Sequence, residues 1–201
     1  MDPKLYLATS TGDSSFFERM TASDSTLLQV TIEKKNVLHI AVQFKKYEVA
    51  EKIVCLSQCL AKQTNSKDNT PLHVVAKVGN PQIVRFLIDH AEDRDVETGA
   101  PQFLSMVNLQ GDIALHIAVQ YGNFEVVKEL IKEDPKLAIC VNKAGESILF
   151  LAVDTDLYNI ASHILSATPE CSCAGRHDMN VLHALVIQTS SCKCCSIQST
   201  P

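Results

Sequence analysis

The chain has 201 residues, of which 46% are hydrophobic and 20% charged, and its formal net charge is −5. This composition can bury a core of one-domain size and excludes disorder over most of the chain. Because the basic pairs Lys34-Lys35 and Lys45-Lys46 are too sparse for a basic stripe, neither DNA nor RNA is expected as the main partner. The apolar runs are far shorter than a membrane helix and no secretory signal opens the chain, so the sequence as written predicts a cytoplasmic protein.

A short pattern of apolar residues around a histidine recurs along the chain. Its central positions are separated by 34, 43, 34 and 33 residues, and a weaker copy around Tyr6 lies 33 residues before the first of them. Self-similarity at such a period is typical of a repeat architecture. The five clear copies are Val37-Leu38-His39-Ile40, Pro71-Leu72-His73-Val74, Ala114-Leu115-His116-Ile117, Ile148-Leu149-Phe150-Leu151 and Val181-Leu182-His183-Ala184.

Each unit is predicted to contain a turn, a short helix, a second turn and a longer helix. Gly79-Asn80 and Gly122-Asn123 end the short helix in two copies, because glycine accepts the positive φ that stops a helix. Lys45 stands in the place of this glycine in the second unit. The apolar residues that follow, such as those in 83–88, have helical spacing. Helices this short are not stable alone, so stacking on neighbours must hold them.

This pattern resembles the ankyrin repeat over about 190 of the 201 residues, and Thr70-Pro71-Leu72-His73 is the signature tetrapeptide in full. Phe150 replaces the signature histidine in the fifth unit. The resemblance implies an all-α solenoid of stacked helix-turn-helix units with turn or hairpin fingers. We expect an ankyrin domain over 1–188, with repeats at about 1–33, 34–66, 67–109 (including an inserted linker, 91–106), 110–143, 144–176 and a partial sixth at 177–188.

Some phrases are similar to a plant subfamily of the accelerated-cell-death type, which carries ankyrin repeats followed by a multi-span membrane domain. They are Met1–Tyr6, Glu133–Ala138 and Val141–Ser147, together with the linker Ala91–Met106. This resemblance implies a role in plant stress or defence signalling, with relatives at the plasma membrane and repeats that face the cytosol.

The sequence contains none of the motifs that mark a hydrolase elbow, a zinc protease helix, a P-loop or a dinucleotide fold, so we expect no enzyme, no cofactor and no small-molecule substrate. His39, His73, His116 and His183 recur at repeat spacing, but stacked helices lie ~8–10 Å apart and neighbouring copies cannot share a metal. These histidines are interpreted as hydrogen-bonding residues that fix the turns.

The cysteines fall into two groups. Cys55, Cys59 and Cys140 lie among apolar residues and are expected to be buried. Cys171 and Cys173 with His177 could supply zinc ligands, although Cys-x-Cys is not the usual spacing. Near the end of the chain lie Cys192, Cys194 and Cys195, where S-acylation could add membrane affinity; the alternative is a disordered tail of free thiols over 189–201.

The ankyrin resemblance implies a concave surface, made by the turn tips and the outward side of the short helices, that binds other proteins. Phe44 and Tyr121 occupy the same place in their repeats and are candidate interface anchors, although a ring that covers its own repeat is the alternative. The full set of implied partner-binding residues is Lys35, Gln43, Phe44, Lys67, Asn69, Lys77, Val78, Gln110, Asp112, Gln120, Tyr121, Lys143, Glu146, Asp154 and Thr155.

The sixth unit begins with an apolar helix over 180–187 and then loses the pattern, which would leave an open apolar end. We expect a truncated or alternatively spliced product in which 192–201 is not ankyrin sequence. Three hypotheses follow for function: a soluble adaptor or competitor of a longer relative, the cytosolic part of a membrane protein, or a regulatory protein with zinc-bound or acylated terminal cysteines.

Overall fold

The computed structural model describes residues 1–21, 24–91 and 102–188. The described ranges are helical and contain no strand, which confirms the all-α prediction. The α-helices are α1 (Pro3–Thr11), α2 (Ser14–Glu18), α3 (Val37–Gln43), α4 (Tyr47–Leu56), α5 (Pro71–Val78), α6 (Pro81–Asp89), α7 (Ala114–Gln120), α8 (Phe124–Glu133), α9 (Ile148–Asp154), α10 (Tyr158–Ala167) and α11 (181–188). Short 3₁₀ helices lie at Ser25–Leu28, Gln58–Ala61, Gln102–Ser105, Pro135–Ile139 and Arg176–Asp178.

The helices form two layers along the solenoid. The first helices of the units, α1, α3, α5, α7 and α9, each pack against the next one, and the second helices α2, α4, α6, α8 and α10 do the same. One continuous apolar cluster fills the space between the layers. No short helix could bury its apolar side without its neighbours, so the stack is the unit of stability.

Local sequence signals explain where the short helices begin and end. In α5, Pro71 fills the first turn, where no amide hydrogen is needed, and the Thr70 hydroxyl accepts a hydrogen bond from the His73 amide. The helix ends at Gly79, whose φ is 79°. Lys45 and Asp156 take the same left-handed conformation in units that lack this glycine, with φ of 58° and 59°. Packing between neighbouring units therefore determines the conformation of this turn. Lysine or aspartate adopts the left-handed conformation there despite its energetic cost.

Part of the predicted linker belongs to the repeat itself. Residues 92–101 lie outside the described ranges, but Gln102–Ser105 form a 3₁₀ helix whose Phe103 and Leu104 are buried. Equivalent 3₁₀ helices follow α4 and α8 and bury Leu60 and Leu137. An apolar residue at this point thus anchors α4, α6 and α8 to the next turn.

Two expectations about cysteines were wrong: Cys55 and Cys59 are exposed. The buried stripe of α4 runs through Val49, Ala50, Ile53 and Val54, so residue 55 falls outside it. Cys140 is half-buried and Cys171 is buried, and burial raises the pKa of both thiols. The predicted tail at 189–201, with its three terminal cysteines, lies outside the described residues. No helix within the described ranges is long and apolar enough to span a bilayer.

Candidate protein-binding surface

An asparagine side chain closes the turns before α5, α7 and α9, and Thr31 takes its place before α3. The Oδ1 atom of Asn108 accepts hydrogen bonds of 2.9 Å from the amides of both Gln110 and Asp112, and Asn142 repeats this arrangement one unit later. Gly111, with φ of 79°, supplies the left-handed residue that the turn needs. Because the asparagine side chain accepts the backbone hydrogen bonds of its own turn, other residues at the tip can project from the solenoid.

Backbone hydrogen bonds join successive tips side by side. The Ser66 amide donates to the Glu33 carbonyl at 2.9 Å, the Leu109 amide to the Lys67 carbonyl at 3.2 Å and the Lys143 amide to the Gln110 carbonyl at 3.0 Å. We call the residues 32–35, 66–69, 109–112 and 143–146 the turn-tip row. Because the tips are joined directly, their side chains form one continuous row across four units.

A second row lies at the C-terminal ends of the short helices. This helix-end row comprises Gln43, Phe44, Lys77, Val78, Gln120, Tyr121, Asp154 and Thr155. Its members touch their neighbours along the stack: the Lys77 ammonium lies 4.9 Å from the centre of the Tyr121 ring, and the Phe44 ring meets Tyr6 edge-on at 6.5 Å. Such cation–π and edge-to-face contacts hold long side chains in one orientation.

The two rows come close to each other at both ends of the solenoid. At the N-terminal end, Lys35 of the turn-tip row and Phe44 of the helix-end row line one groove of about 720 Å³. At the other end, Arg176 donates to Glu146 of the turn-tip row at 2.9 Å and to Asp154 of the helix-end row at 2.8 Å. The two rows therefore border one groove at the N-terminal end and are linked by Arg176 at the other end.

Most of the residues implied by the ankyrin resemblance lie on these rows with accessible side chains. Tyr121 is 51% exposed and Phe44 is 41% exposed, so neither ring is a core residue. Lys35, Asn69, Val78 and Asp154 are half-buried. The exposed members are Gln43, Phe44, Lys67, Lys77, Gln110, Gln120, Tyr121, Lys143 and Thr155.

Asp112 and Glu146 differ from that expectation, because both are buried. The Asp112 carboxylate accepts a hydrogen bond from the Asn142 amide group at 2.9 Å, and Glu146 accepts from Asn142 and from Arg176. These carboxylates tie one turn to the next and are not available to a partner. Their position in the repeat is that of a tip residue, but the neighbouring turn covers the side chain.

The recurring histidines hold the turns, as predicted for His39 and His73. The Nδ1 atom of His73 accepts from the Thr70 amide at 3.2 Å, and its Nε2 atom donates to the Asp112 carbonyl of the next unit at 2.9 Å. His39 likewise donates to the Asn69 carbonyl at 2.8 Å. Since a carbonyl only accepts, Nε2 carries the proton and the ring is neutral.

Burial lowers the pKa of these rings, because it disfavours the charged imidazolium. The pKa of His39 falls to about 4, although its hydrogen bond to Asn69 opposes the shift. Burial also lowers the pKa of His73 and of His116. In His116, the buried Nε2 atom faces the Glu146 backbone but makes no hydrogen bond of standard geometry with any described residue. His39 and His73 are thus neutral links between units.

The described residues include no group of three or more His, Cys, Asp or Glu side chains that could hold a metal ion. Cys171, Cys173 and His177, which the sequence suggested as zinc ligands, are therefore not brought together. Cys171 is buried whereas Cys173 and His177 are exposed.

Several exposed apolar residues on the rows were not singled out from the sequence. Ile32 is fully exposed at the tip of the second unit, Leu109 is 48% exposed at the corresponding tip two units later, and Tyr6 is 41% exposed beside Phe44. An alignment of the repeats would have indicated Ile32 and Leu109, because each of them directly follows the first residue of its turn. Tyr6 occupies the position of the repeat histidine. Since this histidine is buried in the second, third and fourth units, the sequence did not indicate that Tyr6 is exposed.

The fold and its linked turns define the class of protein. A family model described as ankyrin repeats (3 copies) matches residues 38–102 and 100–175, which is more than half of the chain. The chain therefore belongs to the ankyrin-repeat family, which is in general a non-enzymatic, protein-interaction fold.

Among known proteins, Protein ACCELERATED CELL DEATH 6 of Arabidopsis thaliana is 25% identical over 160 residues, which are 77% of this chain and 24% of that protein. The probable 26S proteasome regulatory subunit p28 of Saccharomyces cerevisiae is 27% identical over 63% of this chain and 54% of its own length. Leucine-rich repeat serine/threonine-protein kinase 1 of Caenorhabditis elegans is 28% identical over 63% of this chain but 6% of its own length. The chain thus spans less than two thirds of each of these relatives.

Proposed function

We propose that this chain binds other proteins in its concave groove and acts as an adaptor in plant stress or defence signalling. The observation that carries the proposal is the pair of rows, which border one groove at the N-terminal end, because exposed side chains held in register by backbone bonds form a preorganised binding surface. The similarity to an Arabidopsis protein named for cell death supports the plant signalling context. Nucleic acids and small-molecule substrates are not the partners in this proposal.

Tyr121 is the residue to remove first. Its ring is 51% exposed on the helix-end row and is oriented by Lys77. We expect Tyr121→Ala to reduce partner capture by about fivefold or more, as loss of an aromatic anchor does, with little change in the melting temperature. The measurement is quantitative mass spectrometry of leaf proteins retained by the immobilised chain, together with thermal unfolding.

Ile139→Ala is the matched control, because Ile139 is 48% exposed in the 3₁₀ helix that follows α8, outside both rows. It should retain the wild-type set of proteins. If Tyr121→Ala lowers the melting temperature but captures the same proteins, the ring stabilises its own repeat and does not bind the partner.

A second candidate is that this segment is the cytosolic part of a longer membrane protein. The match to 24% of ACCELERATED CELL DEATH 6 favours it. An antibody against Ala91–Met106 applied to soluble and alkali-washed membrane fractions separates the two candidates. A soluble band near 22.1 kDa supports the adaptor, and a larger band confined to the membrane pellet supports the longer protein.

A further inference from the structure

The second helices of the units bury their residues in one shared pattern. In α4, α6 and α8 the third, fourth, seventh and eighth residues are apolar and buried. The eighth residues are Val54, Ile88 and Ile131, and none of them is more than 4% exposed. In α10 the same position holds Leu165, which is 48% exposed. Helix α10 therefore exposes an apolar residue at a position that α4, α6 and α8 bury.

Leu165 borders a groove of about 420 Å³ between α9, α10 and α11, which we call the end groove. None of the side chains that line it within the described ranges is charged. Leu185 of α11 lies in this groove and is half-buried, whereas the residues at its position in α5, α7 and α9 are fully buried. Helices α10 and α11 contain no Asp, Glu, Lys or Arg, although α4, α6 and α8 each contain at least two. An apolar groove without charge is typical of the core of a protein interface.

Contacts between successive second helices follow one register, which indicates what fits the end groove. The first or the fifth residue of each helix meets the sixth residue of the next one, through ring contacts or ion pairs. In α10 the first and fifth residues are Tyr158 and Ser162, and both line the end groove. A helix in this groove would thus place its sixth residue against them. The pairs that define the register are Glu18 with Lys52, Tyr47 with Phe86, Arg85 with Glu129 and Phe124 with His163.

The sequence that follows α11 does not predict such a helix. In the second to fifth units the second helix begins ten residues after the first one, which places the equivalent helix of the sixth unit at residue 191. The four positions that are apolar in α4, α6 and α8 would then hold Lys193, Cys194, Ile197 and Gln198, which lie outside the described residues. Because burial of an unpaired lysine or glutamine is unfavourable, this segment is a poor occupant of the end groove.

A second copy of the chain does not offer the pattern either. Helices α4, α6 and α8 already bury their apolar residues in their own stack. The exposed side of α11 carries Leu182, Val186 and Ile187, but His183 stands where a fourth apolar residue is needed. The occupant that matches the end groove is therefore a helix from a different protein.

We propose that the end groove binds an amphipathic helix of a partner protein, which takes the place of the second helix in the sixth unit. This helix carries apolar residues at its third, fourth, seventh and eighth positions, and its sixth residue meets Tyr158 and Ser162. Its opposite side is polar. The end groove is separate from the turn-tip row and the helix-end row, so it adds a second binding surface to the proposed function and does not depend on it.

Helix α8 supplies the sequence of a probe. A peptide copied from residues 123–134 carries the apolar pattern and has Glu129 as the sixth residue of its helix. Since so short a helix is marginal in water, the peptide is extended by about eight alanine and glutamine residues and labelled with fluorescein. Fluorescence anisotropy with the full chain should show saturable binding. A peptide of the same composition, in which apolar and polar residues alternate, should bind about tenfold or more weakly.

Leu165→Lys tests the place of binding. It puts a charge into the uncharged end groove, so we expect peptide binding to weaken by about fivefold or more. The melting temperature should be unchanged, because the side chain is half exposed to solvent. The matched control is Leu28→Lys, which makes the same exchange at a residue that is 55% exposed near the other end of the solenoid. It should bind the peptide like the wild type.

Ser162→Arg tests the register by a gain of binding. The new guanidinium would take the place that Arg85 has beside Glu129 in the stack, and the glutamate of the probe occupies the equivalent position. We expect binding to tighten by about two- to threefold at about 50 mM NaCl. The gain should disappear when this glutamate of the peptide is replaced by lysine. An unchanged affinity of Ser162→Arg would overturn the register and, with it, the replacement of a second helix.

Four further results would overturn the inference. They are no binding of the peptide below about 1 mM, equal binding of the peptide with the alternating pattern, and an equal loss in Leu28→Lys and Leu165→Lys. The fourth is a competing occupant. Tighter peptide binding by Ile197→Asp would assign the end groove to the chain's own last residues, and a dimer in sedimentation that Leu165→Lys dissociates would assign it to a second copy.

The proposed function is judged separately from this inference. Tyr121 lies on the helix-end row, so Tyr121→Ala should bind the helical peptide like the wild type while it loses leaf proteins. If the peptide fails to bind, capture of leaf proteins by the two rows is still measurable, because that assay does not need the end groove.

Discussion

Neighbouring units of this solenoid are joined by two different chemistries. Between the second and third and the third and fourth units, a buried histidine donates from Nε2 to a carbonyl of the next turn, at 2.8 Å for His39 and 2.9 Å for His73. Between the fifth and sixth units the equivalent residue is Phe150, which makes no such bond. Its ring packs against Gly175, and the Arg176 guanidinium lies 5.5 Å from the ring centre.

The comparison shows what the junction requires. Both versions fill the space beneath the next turn with a ring, and both keep a direct backbone link, such as the 2.9 Å bond from the Ser147 amide to the Ala174 carbonyl. The histidine version adds a buried neutral hydrogen bond, whereas the phenylalanine version adds ion pairs at the surface. The two should therefore respond differently to cavities, pH and salt.

The largest expected effect is the loss of the Phe150 ring. Phe150→Ala removes a fully buried side chain and should lower the free energy of unfolding by about 3–5 kcal/mol. A Cβ at Gly175 would overlap the Phe150 ring, so Gly175→Ala should cost about 1–3 kcal/mol. Urea unfolding followed by circular dichroism measures both values.

The double variant tests whether the ring and the glycine act together. Once the ring is gone, the new methyl group has room, so Phe150→Ala with Gly175→Ala should be less destabilised than the sum of the two. Additive losses would mean that the close approach of Gly175 to the ring does not matter for stability.

A smaller effect comes from acid and touches only the histidine junctions. Because the pKa of His39 is about 4 in the folded chain and near 6.5 when unfolded, its contribution is complete above about pH 6.5 and is lost as the pH falls toward 4. At pH 5 this residue alone should cost about 2 kcal/mol relative to pH 7.5. His73 and His116, whose pKa values are also lowered, act in the same direction.

Urea unfolding at several pH values between 5 and 7.5 checks this dependence. The variant His39→Gln should be less stable at pH 7.5 and lose less stability on acidification, whereas His177→Gln, at an exposed site, should keep the wild-type slope. A His39→Gln profile parallel to the wild type would contradict the assignment of the slope to this junction.

The smallest effect is expected at the ion pairs of the phenylalanine junction. Arg176→Gln should cost about 1 kcal/mol at low salt, because Glu146 is buried and its carboxylate would keep only the hydrogen bond from Asn142. The loss should shrink in high salt, which screens the wild-type pair. Arg85→Gln breaks a more exposed pair with Glu129 and should cost less. A salt-independent loss at Arg176 would point instead to its packing on Phe150.

Much of the fold could be predicted from residues within one repeat. The tetrapeptide Thr70–His73 and the glycine at 79 define the start and the end of a short helix by local hydrogen bonds and by φ. The structural role of His39 and His73 also follows from their place beside the turn. Cys55 and Cys59 were misplaced, because apolar neighbours in the sequence do not show which side of a helix end faces the core.

The sequence predicted the candidate surface only through the alignment of equivalent positions in successive repeats. Equivalent tip positions hold Lys35, Asn69, Asp112 and Glu146, yet the last two are buried and the first two are half-buried. Asn69, Asp112 and Glu146 each accept a hydrogen bond from the next unit, from Asn108, Asn142 and Arg176, whereas Lys35 pairs with Glu33 of its own tip. Such a partner lies ~30 residues away, and its reach is not visible in a local pattern.

The sequence by itself determined the repeat, its turns and the ankyrin class, because these depend on spacing and on side chains that act within a few residues. Only the tertiary structure decided that Asn142 and Arg176 bind the carboxylates of Asp112, Glu146 and Asp154, and that Ile32 and Tyr6 line one groove at the N-terminal end. The reason is physical: burial and pairing of a side chain are properties of the stacked neighbours, and the stack exists only after folding.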